Sequence, residues 1–292
     1  MSEQSRLDGK VVVVTGAARG LGAEVSRQLA ARGARVALVG LEPAELEAVS
    51  RDCPGSAWWE TDVTDGEALQ RVAADVAQHF GAIDVLVANA GIATAGHLLI
   101  ADVASYERVI TVNLLGSIRT VRAFLPYIAE RHGYVLQVAS AAALVPAPFM
   151  SAYGASKAGV EAFAHALRVE MLPRGVDVGV AYLSWTDTEM VRGADETPGV
   201  GKVRSEMPGP LGKTYPLEPA ARTLVDGIAA RKAHVYAPSW LRSLSVIRGL
   251  LPWLTARTPR RRLAEADQAI SAAGVEATYP VGAGGAADSR RA

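Results

Sequence analysis

Short apolar runs alternate with longer amphipathic segments along most of the chain. The runs at 10–16 (KVVVVTG), 34–40 (ARVALVG) and 83–91 (IDVLVANAG) are rich in branched aliphatic residues and end at glycine, which predicts strands followed by turns. Similar runs occupy 134–140 and 176–184, and a shorter one lies within SAWWETDVTD. The segments between them, such as LGAEVSRQLAARG, carry apolar residues at helical spacing. The pattern therefore predicts strands and helices in regular alternation.

The predicted strands are apolar at consecutive positions rather than at every second one. Such strands are buried on both faces, as they are in a parallel sheet covered by helices. We therefore predict an α/β fold with a doubly wound parallel sheet of the Rossmann type and about seven strands. Neither an internal repeat nor a linker occurs before about residue 190, so residues 1–239 are predicted to form a single domain.

The later part of the chain departs from this alternation. Residues 191–213 are rich in glycine, proline and charge, which predicts a mobile loop near the carboxyl ends of the strands. Residues 240–274 are predicted to form a basic amphipathic extension, which begins WLRSLSVIRGLLPWLTARTPRRR. Residues 275–292 lack apolar periodicity and are predicted to be a disordered tail.

Composition narrows the classes of protein that fit. The 292 residues include 30 basic and 30 acidic side chains, and this zero net charge argues against nucleic acid as a partner. Cys53 is the only cysteine, which excludes an intrachain disulfide, and no histidine spacing suggests a metal site. The polar N-terminal residues are not expected to act as a signal peptide, and no run reaches the ~18 apolar residues of a membrane span. A cytoplasmic protein is therefore expected.

A glycine-rich turn follows the first predicted strand. Gly16, Gly20 and Gly22 lie between that strand and a helix, where glycines let backbone N–H groups approach a pyrophosphate. The spacing is G-x-x-x-G-x-G and not the more familiar G-x-G-x-x-G. Taken alone, the turn is a candidate phosphate site, and a purely structural β–α turn remains the alternative.

Tyr153 and Lys157 lie four residues apart in SAYGASKAG, on one face of a predicted helix. Alone, the pair is more typical of an ordinary helix surface. A nearby ammonium also lowers the pKa of a tyrosine from its free value of about 10, which suits proton transfer near neutral pH. Other motifs must decide between these readings.

Several motifs occur together in the order found in one family. Between about residues 7 and 240 the chain resembles the short-chain dehydrogenases/reductases: TGAARGLG (15–22) matches their cofactor loop, and Asn89-Ala90-Gly91 matches the end of their fourth strand. Their catalytic tetrad is matched in order and spacing by Asn113, Ser140, Tyr153 and Lys157. Each motif is weak alone, but the set in this order is specific.

The resemblance implies an NAD(P)-dependent oxidoreductase of class EC 1.1.1.-, which interconverts a hydrophobic ketone and a secondary alcohol by hydride transfer. Tyr153 would be the general acid or base, and Lys157 would lower its pKa and hold the nicotinamide ribose. Ser140 would stabilise charge on the substrate oxygen, although a strand-end cap is an alternative role. Asn113 would hold a water that links Lys157 to solvent, although it could instead mark a helix kink.

The resemblance also implies a set of cofactor contacts. Asp62 and Val63 would flank the adenine, and Asn89 would brace the strand, although Asp62 could also cap the following helix. The complete set of residues assigned to the cofactor is Thr15, Gly16, Arg19, Gly20, Leu21, Gly22, Gly40, Leu41, Glu42, Asp62, Val63, Asn89, Ala90, Gly91, Tyr153, Lys157 and Thr188.

The choice between NAD and NADP depends on the end of the second strand. A carboxylate there binds the ribose of NAD and repels the 2′-phosphate of NADP, but this position is Gly40 and is followed by Leu41. Glu42 lies two residues later and would favour NAD if it reached the ribose. Because Gly40 leaves room for a phosphate and Arg19 offers positive charge, the sequence slightly favours NADP.

The substrate region is apolar. Residues 143–150 (ALVPAPFM) offer no charge for a carboxylate or phosphate, and Trp185 and Met190 are expected to cover the pocket. Leu183-Ser184 replaces the Pro-Gly that the family has after its sixth strand, although Thr188 is retained. A hydrophobic carbonyl compound or alcohol is therefore the expected substrate.

Two other functions remain open at this point. A protein of this fold could sense NAD(P)H without turnover, although a sensor has no need of the tetrad. The arginine-rich extension could instead hold the protein on an anionic membrane surface. The resemblance further implies a homodimer or homotetramer, formed through the two long helices that precede and contain the tyrosine.

Overall fold

The structure is a computed structural model that describes residues 7–197 and 199–290. The first six residues of the predicted sheet domain lie outside the described residues, as do Pro198 in the predicted loop and the last two residues of the predicted tail.

Seven strands form one sheet in the order β3-β2-β1-β4-β5-β6-β7. All six neighbouring pairs are parallel, which confirms the predicted doubly wound sheet of seven strands. The strands are β1 Val11–Thr15, β2 Arg35–Gly40, β3 Ala57–Glu60, β4 Val85–Ala88, β5 Tyr134–Val138, β6 Asp177–Leu183 and β7 His234–Ala237.

Helices connect the strands and continue beyond them. In chain order they are α1 Gly20–Ala30, α2 Pro43–Arg51, α3 Gly66–Phe80, α4 Val103–Ile110, α5 Ser117–Glu130, α6 Ser151–Met171, α7 Glu189–Glu196, α8 Val200–Ser205, α9 Leu217–Ala229, α10 Leu241–Ile247, α11 Leu251–Thr255, α12 Arg260–Ala273 and α13 Gly282–Ser289.

Both faces of the sheet are covered, which explains why the strands are continuously apolar. Val12 and Val14 of β1 pack in a cluster that includes Leu29 of α1. The alternate residues, Val11 and Val13, pack on the opposite face in a second cluster. Because successive side chains of a strand point to opposite faces, both sets must be apolar.

The sheet order locates the candidate site. β1 lies between β2 and β4, so the connections run in one direction from β1 to β3 and in the other from β4 onwards. Ligands of open α/β sheets bind at such a switch point, beyond the carboxyl ends of the strands. The glycine loop follows β1 there, and Asn89 follows β4.

Residues 191–213 are folded rather than a mobile loop, so that prediction was wrong. The segment contains the end of α7, all of α8 and a 3₁₀ turn. Several of its charged residues have partners inside or outside the segment: the buried guanidinium of Arg204 contacts Asp195 and Thr214, and Lys202 pairs with Glu265 of α12. Sequence composition shows the charges and glycines but does not show these pairings.

The predicted disordered tail also folds over its described residues. A 3₁₀ turn spans Val275–Thr278, and α13 follows it. The backbone N–H of Val281 donates to Ala93 O at 2.9 Å. A Cβ on Gly193 of α7 would lie 2.7 Å from Gly282 N of α13. The two helices therefore approach each other more closely than a side chain at position 193 would allow. The prediction of disorder rested on the lack of apolar periodicity, and it was wrong because glycines permit this close backbone approach without an apolar helix face.

The basic extension is helical. Leu241 and Leu251 are buried, and Leu250 and Trp253 point outward. Within the described residues, none of the helices is both long and apolar enough to cross a bilayer.

Candidate active site

The glycine loop forms a cradle that larger residues would fill. Gly16 and Gly20 have φ angles of +66° and +52°, in the left-handed region that favours glycine. A Cβ on Gly22 would lie 2.1 Å from Gly16 O, a distance that no side chain can tolerate. The loop therefore presents backbone and the first turn of α1 to the cleft, which suits a pyrophosphate.

Asn89 and Thr15 join the ends of β4 and β1. The Asn89 side chain donates to Thr15 O at 2.9 Å and to Gly16 O at 3.3 Å. In return, the Thr15 hydroxyl accepts the backbone N–H groups of Asn89 and Ala90. These four contacts hold the glycine loop against the neighbouring strand, the bracing role expected of Asn89.

Tyr153 and Lys157 lie together on α6, as the sequence spacing requires. Lys157 is only 5% exposed, and its Nζ donates to Val138 O at 2.9 Å. The same Nζ lies 5.8 Å from the centre of the Tyr153 ring. A buried ammonium beside a phenol is unlike the exposed helix-surface pair that the spacing alone suggested.

Burial controls the protonation of both groups. It raises the pKa of the Tyr153 phenol, and hydrogen bonding with Ser140 acts in the opposite direction. It lowers the pKa of Lys157 to about 8. The sequence predicted that Lys157 would lower the pKa of Tyr153, but the net shift is upward because desolvation of the phenolate dominates. Tyr153 is therefore protonated at neutral pH, as a general acid must be.

Ser140 has the capping role that the sequence left open as an alternative, and its action on a substrate oxygen stays a prediction. Its hydroxyl accepts the Ala142 N–H at 3.2 Å and so caps a one-turn 3₁₀ helix after β5. The same hydroxyl lies near enough to the Tyr153 phenol to offset part of the rise in its pKa. The cap fixes the serine beside the phenol.

Asn113 lies in a π-helical turn, Thr111–Gly116, between α4 and α5. Its side chain exchanges two hydrogen bonds with the backbone of Ile92, at 2.8 and 2.9 Å, and donates to Ser156 Oγ. A Cβ on Gly91 would lie 3.0 Å from Asn113 Oδ1 and 3.4 Å from Lys157 Nζ, so the three residues are neighbours. Asn113 thus connects the π-helical turn to the chain that follows β4, which agrees with its alternative role at a helix kink. Its amide also lies near Lys157, where the resemblance places a proton path.

The end of the cleft at Asp62, where the resemblance places the adenine, contains an ion-pair network that the sequence did not reveal. Arg108 of α4 donates to Asp62 Oδ2 at 2.9 Å and to Asp288 Oδ2 of α13 at 2.9 Å. Burial would raise the pKa of Asp62, but hydrogen bonds from Thr64 and Arg108 outweigh it and hold that pKa below its ordinary value. Asp62 therefore stays ionised, and the C-terminal helix is attached to this end of the cleft.

Asp62 does not cap the helix after it. The N-cap of α3 is Asp65, whose carboxylate accepts the N–H groups of Glu67 and Ala68. Asp62 instead accepts the Thr64 N–H at 2.8 Å. The prediction that Asp62 could cap α3 was therefore wrong. The chain makes a further turn after Asp62, and the residue that caps the helix lies three positions later, at Asp65.

Gly40, Leu41 and Glu42 line the end of the cleft where the resemblance places the adenosine ribose, which we call the ribose end. Carboxylates dominate this end. Arg19 forms a bidentate contact with Glu42 and donates to Glu189 Oε2 at 2.7 Å. The positive charge that Arg19 was expected to offer a 2′-phosphate is therefore already paired twice.

A second, apolar pocket adjoins the cleft. Tyr153, Leu183, Ser184, Met190 and Val191 line both cavities. The remaining lining residues of the second pocket are mostly apolar, and they include Val145, Met150, Trp185, Met207, Leu211 and Trp240. The sequence predicted apolar cover from Trp185 and Met190, and both lie in this lining.

The replacement of the family's Pro-Gly by Leu183-Ser184 does not disturb the end of β6. Ser184, which stands where the family has glycine, donates its N–H to Ala237 O at 3.0 Å, so pairing with β7 continues past β6. Thr188 lines the cleft and caps α7 through the Val191 N–H. Losing Pro-Gly therefore does not remove Thr188 from the cleft.

The residues fit a dinucleotide. The glycine loop, where a Cβ on Gly22 would clash, forms one wall of the cleft. Asp62 and Val63 line one end of the cleft. Tyr153 and Lys157 line the part of the cleft near the apolar pocket. Residues that sequence analysis missed also line it: Glu189, which directly follows Thr188, and Val281, Gly284, Gly285 and Asp288 of the C-terminal segment. Only Glu189 had a signal, its position beside a motif residue.

Comparison with known proteins gives one consistent result. The family model described as short chain dehydrogenase matches residues 10–199, which include the glycine loop and the tetrad. The 11-beta-hydroxysteroid dehydrogenase 1A of Arabidopsis thaliana is 31% identical over 85% of this chain and 74% of its own length. Dehydrogenase/reductase SDR family member 7B of Mus musculus is 31% identical over 86% of this chain and 80% of its own.

Solved structures agree. A short chain dehydrogenase from Mycobacterium paratuberculosis bound to NAD superposes with a TM-score of 0.72 at 25% identity, covering 80% of this chain and 97% of that one. The protein gox2181 gives 0.74 at 26% identity, with 80% and 96% coverage. Motifs, site geometry, family model and relatives point the same way: the chain belongs to the short-chain dehydrogenase/reductase family and is an oxidoreductase of that family.

Proposed function

We propose that the protein interconverts a hydrophobic ketone and its secondary alcohol, with Tyr153 as general acid or base and NAD(H) as the preferred cofactor. The observation that carries this proposal is the position of Tyr153, which lines both the dinucleotide cleft and the apolar pocket. A group at that junction can reach a substrate atom on one side and the cofactor on the other.

The substrate class follows from the pocket. Its lining is mostly aliphatic and aromatic, and Ser140 and Tyr153 supply hydroxyl groups. Such a pocket recognises one oxygen and an apolar body. Two of the relatives above are named for dehydrogenases, one of them for hydroxysteroids, which supports a bulky, fused-ring substrate as the first to test.

The residues of the site have distinct tasks in this proposal. A nicotinamide held in the cleft would supply or accept the hydride. Tyr153, kept protonated by burial, donates its proton to the substrate oxygen during reduction and takes it back during oxidation. The Ser140 hydroxyl hydrogen-bonds the same oxygen as charge develops on it. The Lys157 ammonium stabilises the phenolate that remains on Tyr153, and Asn113 holds the strand end beside the lysine.

The preference for NAD is inferred from charge at the ribose end. Arg19 is shared between Glu42 and Glu189, so the three side chains together carry a net negative charge. A 2′-phosphate placed there would meet two carboxylates and could bind Arg19 only by displacing one of them. This argument favours NAD over the NADP that the sequence slightly favoured, because sequence alone does not show that Arg19 is already paired.

We expect Glu42→Gln to shift the cofactor preference toward NADP. The substitution keeps the size of the side chain, removes one negative charge and loosens Arg19. The ratio of kcat/KM with NADH to kcat/KM with NADPH should fall by about fivefold or more, since a close charge pair at partial exposure is worth on the order of 1 kcal/mol or more. Initial-rate kinetics with both cofactors measure the ratio.

Glu45→Gln is the matched control for that prediction. Glu45 lies in the first turn of α2, which Glu42 precedes, and its replacement by glutamine removes the same charge. Its carboxylate is 3.7 Å from the Arg19 guanidinium and is more exposed than that of Glu42. Its ratio should stay near that of the wild type. Equal shifts in both variants would indicate a general effect of charge and would contradict the specific role of Glu42.

The proposed function is tested by binding followed by turnover. Titration with NADH and NADPH, read by cofactor fluorescence, should give tighter binding of NADH. The enzyme should then reduce members of a panel of hydrophobic ketones and not the corresponding keto acids. Tight binding without turnover of any ketone would favour a sensor, and failure to bind either cofactor would contradict the proposal.

A further inference from the structure

The helical segment after the sheet domain exposes apolar side chains on its outer face. Val246 is 80% exposed, Leu250 61% and Trp253 57%. Ile247 and Leu254 are also exposed. Because a single 3₁₀ turn joins α10 to α11, these positions follow the i, i+1, i+4, i+7, i+8 spacing of one helical face. We call these five residues the apolar stripe.

The inner face of the same segment is anchored to the protein. Leu241 and Leu251 are buried. Arg248 donates to the buried carboxylate of Glu161 on α6 at 2.6 Å. Since the segment already has its own apolar contacts and an ion pair on one side, the stripe is a second apolar face, directed at solvent.

The charge around the stripe has one sign. Residues 240–262 contain six arginines and no acidic residue, whereas the whole chain has no net charge. Arg242, Arg257 and Arg260 are exposed, and the Arg257 guanidinium stacks on the Trp253 ring. Aliphatic and tryptophan side chains beside arginines are the composition of helices that lie in the interface of anionic membranes.

We propose that the apolar stripe and its arginines bind the surface of an anionic phospholipid bilayer, with α10 and α11 lying in the plane of the interface. The contact is peripheral, because no helix among residues 7–197 and 199–290 can span the bilayer. A symmetric contact with a second copy would set the same arginines against each other, without acidic partners in 240–262. Anionic lipid supplies the complementary charge that a second copy lacks.

Docking in this way has a consequence for substrate access, and this consequence rests on the proposed function. Trp240, the residue before α10, lines the apolar pocket beside Tyr153. A docked protein would therefore hold one wall of that pocket close to the lipid phase, in which a hydrophobic ketone dissolves.

The test is co-sedimentation of the full-length protein with large unilamellar vesicles of phosphatidylcholine, with and without phosphatidylserine. We expect binding to the vesicles that contain phosphatidylserine, about tenfold weaker binding to phosphatidylcholine alone, and release at high ionic strength. The triple variant Leu250→Ser/Trp253→Ser/Leu254→Ser should lower the partition coefficient at least about tenfold. Its cofactor affinity and melting temperature should match those of the wild type, because all three residues are exposed.

Two further variants separate the contributions. Arg242→Gln/Arg257→Gln/Arg260→Gln should abolish the preference for phosphatidylserine. Leu98→Ser/Leu99→Ser is the matched control, because both leucines are well exposed but residues 92–107 contain no lysine or arginine; its binding should be unchanged.

Three results would overturn the proposal: equal vesicle binding by the wild type and the serine triple variant, equal binding to both lipid compositions, or no vesicle binding together with dimers that the serine variant abolishes. None of these measurements requires turnover. Failure of the docking proposal is therefore distinguishable from failure of the proposed function.

Discussion

Tyr153→Phe is expected to reduce ketone reduction by about 10³-fold while leaving cofactor binding intact. The phenol lies where the cleft and the apolar pocket meet, and in the proposed mechanism it is the proton donor. General acid catalysis typically contributes 10²–10⁴-fold. Removing the hydroxyl leaves the ring, so packing against Ile92 and Val112 survives. Steady-state kinetics and a cofactor titration on the same preparation measure both effects.

Tyr106→Phe is a suitable control for this experiment. Tyr106 packs in the same cluster, but its hydroxyl faces Ser151 and lies outside both pockets. Its activity should stay within a few fold of wild type. If Tyr153→Phe retained comparable activity, another group would have to supply the proton and the role assigned to Tyr153 would be wrong.

Lys157→Met is expected to reduce activity by at least about 10²-fold, since in the proposed mechanism it removes the charge that stabilises the phenolate of Tyr153. The free energy of unfolding should nevertheless rise. The pKa of about 8 shows that the fold holds the ammonium at a cost, roughly 1.4 kcal/mol for each pKa unit below 10.5. The lost hydrogen bond to Val138 O offsets part of the gain, by about 1–3 kcal/mol.

The pH dependence distinguishes this effect from ordinary packing. Between about pH 8 and 10.5 the folded wild type binds fewer protons than the unfolded chain, so its free energy of unfolding gains a rising contribution from Lys157. The methionine variant lacks that contribution. Its stability relative to wild type should therefore be greatest below about pH 8 and should decline as the pH approaches 10.5.

Denaturant titrations of both proteins at several pH values give this difference. A constant difference across that range would mean that Lys157 has an ordinary pKa in the fold, and it would contradict the buried-ammonium description. Loss of stability at all pH values with unchanged activity would contradict the functional role as well.

Local sequence features predicted much of the fold and the core of the site. The strands were recognisable because burial on both faces requires consecutive apolar residues, as at Val11–Thr15. Tyr153 and Lys157 were recognisable because helical periodicity places i and i+4 on one face. The glycine loop was recognisable because backbone approach at Gly22 excludes any side chain.

The features that sequence did not predict depend on contacts between distant residues. Arg108 and Asp288 are 180 residues apart, and no spacing rule relates them. The pairing of Arg19 with Glu42 and Glu189 is likewise visible only in the fold, and it alters the inferred cofactor preference. The segment that forms α13 was predicted to be disordered because it lacks apolar periodicity, and the sequence does not show that α7 offers it a close glycine contact.

The most direct test of the central claim is hydride transfer itself. The protein is incubated with a hydrophobic ketone and NADH that carries deuterium at the transferable C4 position, and the alcohol is analysed by mass spectrometry and NMR. We predict one deuterium on the carbinol carbon with wild-type protein, and almost none in the same time with Tyr153→Phe. Oxidation of NADH without deuterium in the alcohol, or equal labelling by both proteins, would contradict the account.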